Sequence, residues 1–121
     1  MATKGFGVSE LNVDGDGISA IESTGSLLIE SNNGMTIRSL GDSVSVGSTT
    51  IPQTDNTYDL GSSTKRWKNI YTTDLQLSNE GKKNDVDGTW GQWTIQEGEE
   101  DLFLINRRNG KKYKFLLEEV I

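Results

Sequence analysis

The 121-residue chain contains no cysteine, no histidine and a single proline. Without cysteine there is neither a disulfide framework nor a thiolate metal site. Without histidine the commonest catalytic base and metal ligand is missing. There is also no phosphate-cradling glycine loop and no nucleophile elbow. No enzyme and no cofactor are expected from what remains. Apolar mass is short as well: 32% of residues are hydrophobic, with three Trp, three Tyr and three Phe. A folded chain must bury enough of it to offset the ordering entropy of every residue, and fourteen glycines raise that cost. A self-sufficient monomeric core looks thin, and burial between identical chains would supply what one chain lacks.

Long apolar runs are missing too. None approaches the ~20 residues that cross a bilayer, and MATKGFGVSEL at the N-terminus has no apolar signal region. A soluble protein without membrane insertion is expected, with any export by another route. The net charge is −6 and all of it lies in one half: residues 1–60 carry two basic and eight acidic side chains, residues 61–121 ten of each. That distribution argues against nucleic acid or anionic membrane as an electrostatic partner.

What the chain does have is a repeat. Apolar pairs fall at Leu11/Val13, Ile18/Ile21, Leu27/Ile29, Met35/Ile37 and Val44/Val46, and Ile51 closes the run. Most have the two-residue spacing of a half-buried strand, and DGDG, STGS, SNNG, LGDS and GSTT separate them. Their first members recur at steps of 7, 9, 8 and 9 residues. Two apolar side chains per strand cannot cover a sheet face, but they suffice if three chains meet on one axis. An intertwined fibre or a solenoid is the favoured architecture; an antiparallel meander covered by another lobe is the alternative. Pro52 ends the region, since a residue without an N–H suits a strand end.

Residues 54–71 form a junction. Ser62 or Ser63 could cap a short helix through Lys65-Arg66-Trp67-Lys68-Asn69-Ile70-Tyr71, placing Trp67, Ile70 and Tyr71 on one face at i, i+3 and i+4. Two turns are not stable alone, so packing with Tyr58 and Leu60 would have to hold them. From Thr73 alternation resumes, with Leu75 and Leu77 on one face. Ser78–Gly91 reads as a loop, Trp93-Thr94-Ile95 as a strand, and Glu97–Asp101 as an acidic turn. Leu102–Ile105 and Tyr113–Leu117 flank Arg107-Arg108-Asn109-Gly110, a hairpin in which Asn and Gly both tolerate positive φ. Three regions result: a shaft over 1–53, the junction over 54–71 and an end domain over 72–121.

Four groups could carry chemistry. Asn12-Val13-Asp14-Gly15-Asp16-Gly17 resembles the front of a calcium loop, but Asn stands first and Ser23 takes the twelfth place, where a bidentate Glu is needed; a metal-free turn is the plainer reading. Asp85, Asp87, Glu97, Glu99, Glu100 and Asp101 could pair for glycoside hydrolysis across a cleft, or simply be solvated. Trp90 and Trp93 could stack on sugar rings or serve as core. Arg107, Arg108, Lys111 and Lys112 could meet an acidic partner or form a charged turn.

The run Asp55-Asn56-Thr57-Tyr58-Asp59-Leu60-Gly61-Ser62-Ser63-Thr64-Lys65-Arg66-Trp67-Lys68-Asn69-Ile70-Tyr71 resembles the D-N-x-x-D-L-G-S-x-x-x-R-W-x-x-[IL]-Y signature near the C-terminal end of bacteriophage tail fibres and tailspikes. The part after it, through Trp93–Phe103 to Lys111–Phe115, looks like C-terminal regions of structural proteins from marine and cyanobacterial phages. The likeness covers residues 54–121 and reaches residues 1–53 only in style. It implies a mainly β, homotrimeric, intertwined fibre (a triple β-helix or solenoid-like shaft), a junction with a short helix, and a small β end domain. Tyr58, Leu60, Trp67, Ile70 and Tyr71 would pack the three chains together. Many relatives carry a self-cleaving chaperone domain with a Ser/Lys pair after the signature. The 50 residues from Thr72 onward do not carry its motif, so assembly is what the likeness implies here. The expected location is the virion, after a soluble stage in the host cytoplasm. Expected partners are further copies of the chain, other tail proteins and host-surface polysaccharide. The short chain and its own Met1 also suit a capsid-decorating or adaptor protein.

Overall fold

Alternation of apolar and polar residues after Thr73 becomes a sheet. The computed structural model describes residues 21–121, which are mainly β, with four antiparallel strands and no helix among them. The strands are β1 (Asp74–Ser78), β2 (Gln92–Glu97), β3 (Leu102–Asn106) and β4 (Lys112–Lys114), side by side in chain order. The chain divides into two units, Met1–Ile51 and Pro52–Ile121, and the sheet belongs to the second.

Register assigns the faces. Leu75 lies opposite Ile95, Leu77 opposite Trp93, Ile95 opposite Leu104, and Leu104 opposite Tyr113. Side chains alternate along a strand, so these residues and Leu102 share one apolar face. The other face carries Asp74, Gln76, Gln92, Thr94, Gln96, Phe103, Ile105, Lys112 and Lys114. The expected pairing of Leu75 with Leu77 on one face holds.

Burial falls on the polar face. Thr94 is completely buried and Ile105 is 9% exposed, and among the described residues no other side chain is buried. Thr94 Oγ1 donates to Gln76 Oε1 at 2.6 Å and accepts from Arg107 Nε at 2.8 Å, so its one hydroxyl ties β1 to the end of β3. Beside it Gln96 Nε2 donates to Asp74 Oδ2 at 3.0 Å. On the apolar face the Trp93 and Tyr113 rings meet at 5.8 Å between centroids.

The turns explain the strand ends. Between β2 and β3, Gly98 N–H donates to Asp101 O at 2.8 Å, and a Cβ on Gly98 would lie 2.6 Å from the Phe103 ring. Only glycine fits there unless the ring moves. The β3–β4 hairpin lies where Asn109-Gly110 puts it, but its geometry differs from the expectation. Gly110 alone has positive φ (73°), its N–H donates to Asn106 O, and Asn109 instead accepts from Lys111 N–H through its side chain. The loop is a wider turn closed by Asn106 N–H to Lys111 O at 2.9 Å. The strand expected to reach Leu117 ends at Lys114. Phe115 N–H makes one last bond to Leu102 O, and Leu102 is where β3 begins, so residues beyond Phe115 have no strand to pair with.

Two further expectations change. No helix forms over Lys65–Tyr71. Residues 21–51 form no strand in the single chain, neither shaft ladder nor meander. Bends do fall inside STGS, SNNG, LGDS and GSTT, and Ser23 Oγ caps the first by accepting from Gly25 N–H. Yet Leu27, Ile29, Met35, Ile37, Val44, Val46 and Ile51 are all more than half exposed. Two apolar residues per segment offer too little surface to hold a ladder within one copy. The pairs at Leu11/Val13 and Ile18 and the Asn12–Gly17 turn lie outside the described residues.

Candidate functional site

Two places in the second unit gather the sequence-predicted residues. The first is the junction. It opens with a turn in which Asn56 adopts φ 52° and Thr57 Oγ1 donates to Asp55 O at 3.0 Å. Gly61 follows with φ 90°, a conformation costly for any residue with a Cβ; an added Cβ would meet Lys65 O at 3.1 Å and Trp67 Cδ1 at 3.6 Å. The Leu-Gly-Ser step thus lets the Trp67 indole lie against bare backbone.

Ser62 caps as expected, with Lys65 N–H donating to Ser62 Oγ at 3.0 Å. The helix fails because of the reciprocal bond, Ser62 N–H to Lys65 O at 3.0 Å. In a helix that carbonyl would point forward to the N–H of Asn69. Here it points backward, closing a single knot that cannot propagate. Trp67, Ile70 and Tyr71 therefore share no helical face. Trp67 is 64% exposed and Tyr71 93%, and Tyr58, Leu60 and Ile70 are exposed as well. Within one chain the five junction residues form no core.

The second place is a cleft of about 480 Å³ between the β1–β2 loop and the β3–β4 hairpin tip, lined by Asn84, Asp87, Trp90, Trp93, Asn106 and Arg108 among others. Both tryptophans reach it, each half-buried. Trp93 packs over Gly91, where a Cβ would fall 2.9 Å from the indole nitrogen. The Arg108 guanidinium lies 3.8 Å above the Trp90 ring centre and donates to Trp90 O at 2.9 Å. The basic hairpin tip is thus not one free patch, since Arg107 turns back to Thr94 and Arg108 to Trp90.

One wall of the cleft is built on side-chain hydrogen bonds. Asn84 Oδ1 accepts from the N–H groups of Val86 and Asp87, and Asn84 Nδ2 donates to Asp87 Oδ1 at 2.7 Å. Asp87 Oδ1 also accepts from the Thr89 hydroxyl at 2.7 Å and the Thr89 N–H at 3.0 Å. Gly91 N–H donates to Asn79 Oδ1 at 2.7 Å, closing the loop at its base. These donors, the Thr89 hydroxyl first and the Asn84 amide second, hold the Asp87 carboxyl at about 2 against an ordinary 3.8. The sequence reading of Ser78–Gly91 as a loop, with Asp87 either paired for hydrolysis or solvated, does not include this network. The order Asn-x-x-Asp-Gly-Thr is turn chemistry, in which short polar side chains bond backbone two residues on, and it could have marked the loop as self-supporting.

A carboxyl whose folded pKa is depressed contributes order above its unfolded value, and loses that contribution as pH falls through the folded one. The loop is expected to keep its form down to about pH 3 and to loosen near 2. Titrating the Thr89 amide resonance should give a midpoint near 2, absent in Asp87→Asn; a midpoint near 4 would show that these bonds do not hold in solution.

Glu97, Glu99 and Glu100 are exposed around the β2–β3 turn, and the Lys114–Asp101 ion pair there, at 3.4 Å, is itself largely exposed. Among the described residues no helix is long and apolar enough to cross a membrane. No family model, curated protein or solved structure matches the chain.

Proposed function

We propose that the chain is a phage virion structural protein, a homotrimeric tail fibre or fibre tip that presents a surface to the host envelope or to another virion part. The observation that carries this reading is the signature at 55–71 in a chain that leaves the signature's own aromatics uncovered. Trp67 and Tyr71 are apolar, positioned next to well-formed turns, and mostly exposed in a single copy. The exposed apolar residues of 21–51, at strand-like spacing between bends, fit the same need for neighbouring copies.

Native mass measurement is expected to give three times 13.3 kDa. A monomer at micromolar concentration would end the proposal. Labelled antibody and electron microscopy of virions would then separate a tail location from a capsid-decorating one.

A carbohydrate-binding tip is a second reading, favoured by the Trp90/Trp93 cleft. In the second reading, sugar binding on a glycan array would fall in Trp90→Ala; no binding by the intact protein would remove that reading without touching the first.

A further inference from the structure

The sheet of the second unit is covered on the wrong side. Its two buried side chains, Thr94 and Ile105, both lie on the face that carries Asp74, Gln76, Gln96, Lys112 and Lys114. The opposite face has Leu75, Leu77, Trp93, Ile95, Leu104 and Tyr113 across all four strands, and only Glu97 and Asn106, at strand ends, are polar. None of those six is buried, and Leu75, Leu77 and Tyr113 are nearly half exposed.

We infer that this apolar face is a contact surface between copies of the chain, so that three sheets complete one another's core around a common axis. The inference rests on the trimer reading above and goes beyond it by placing an interchain surface outside the signature.

Three observations choose a second copy over another occupant. A four-stranded sheet with one buried hydrophobic side chain has little core of its own, so the cover that stabilises it has to be at hand wherever the chain is made. A copy of the same chain always meets that condition. Next, the face is depleted of charge, as the centres of permanent interfaces are and as transient ones are less often. The third is size. Four strands about 4.8 Å apart and five residues long give a footprint of roughly 300 Å². That is well under the ~800 Å² per partner typical of a stable independent complex. A face this small is occupied only by something already held nearby, since tethering turns the contact into an intramolecular one. The junction, with Trp67 and Tyr71 exposed a few residues before β1, supplies such a tether between copies.

The absence of cysteine makes the test direct, because one introduced thiol is the only thiol. Leu77→Cys and Leu75→Cys place it on the apolar face, and Gln92→Cys on the opposite face at a side chain with no hydrogen-bond partner here. Each full-length variant is reacted with a maleimide at trimer mass and again after dilution to monomer. The expected result is labelling at Leu77→Cys and Leu75→Cys at least tenfold slower than at Gln92→Cys in the trimer, with the difference lost in the monomer. Loss of trimer mass in both leucine variants, with Gln92→Cys still trimeric, counts equally for the inference. Equal labelling in an intact trimer overturns it and leaves the trimer reading standing. Slow labelling that persists in monomer also overturns it, because the chain would then be covering its own face. A monomeric parent protein removes the reading on which the inference rests, and the inference with it.

Discussion

Replacing Trp67 by alanine is expected to dissociate the trimer without removing a contact inside the single-chain sheet. Within one copy the indole lies against Gly61, outside the four strands, and is 64% exposed, so its removal takes almost nothing from the sheet. Between copies the same surface is the largest single apolar side chain the junction can contribute. Burying that exposed portion is worth about 3 kcal/mol per chain, counted three times in a symmetric assembly. A shaft residue such as Ile29 or Val46 offers a smaller side chain, one among several similar layers. Trp67→Ala should therefore lower the concentration stability of the trimer by orders of magnitude, and Val46→Ala by far less. Sedimentation over a dilution series measures both. Equal loss in the two variants would reduce the junction to a connector.

The largest effect on the sheet itself is expected from Thr94→Val. The substitution keeps shape and strand preference but removes the hydroxyl that accepts from Arg107 and donates to Gln76. Two polar groups on a partly covered surface then lose their partner. Arg107 remains exposed enough for water to replace part of the loss, so the cost is about 2 kcal/mol, or roughly 10 °C in the melting of a unit this size. Thr94→Ser, which restores the oxygen, should recover most of it. If valine melts with the parent protein, the buried hydroxyl is not what joins β1 to the β3 end.

The parts of this fold legible in the sequence are those fixed by local chemistry. Asn109-Gly110 located the hairpin, alternation at Leu75 and Leu77 gave their common face, and the glycine- and serine-rich punctuation located the bends of residues 21–51. Ser62 was recognisable as a cap. What it caps was not, because the i, i+3, i+4 spacing of Trp67, Ile70 and Tyr71 is necessary for a helical face but does not direct a carbonyl; Lys65 O turns backward. The network around the buried Thr94 hydroxyl was also missed. Gln76 and Thr94 alternate with apolar residues, which period-two patterning assigns to solvent, and Arg107 stands in the hairpin turn beyond β3. Only the register, which brings Gln76 opposite Thr94, makes them partners. At the cleft, Trp90 and Trp93 were legible as a pair, whereas the Arg108 contact depends on how the hairpin tip folds over.

The two rims of the sheet are not equivalent. Among the described residues neither the outer side of β1 nor that of β4 has a neighbour, and each leaves a row of backbone donors and acceptors. β4 is three residues long and reads Lys-Tyr-Lys, so an incoming strand would find two cations in a short frame. β1 reads Asp-Leu-Gln-Leu-Ser, five residues with no cation. Short, lysine-bearing rims resist the addition of foreign strands, and longer ones whose single charge stands at the strand end, as Asp74 does, resist it less. Should the protein be overproduced faster than its copies find one another, filaments would grow from β1. A lysine at Gln76 would guard that rim only by giving up the bond to Thr94.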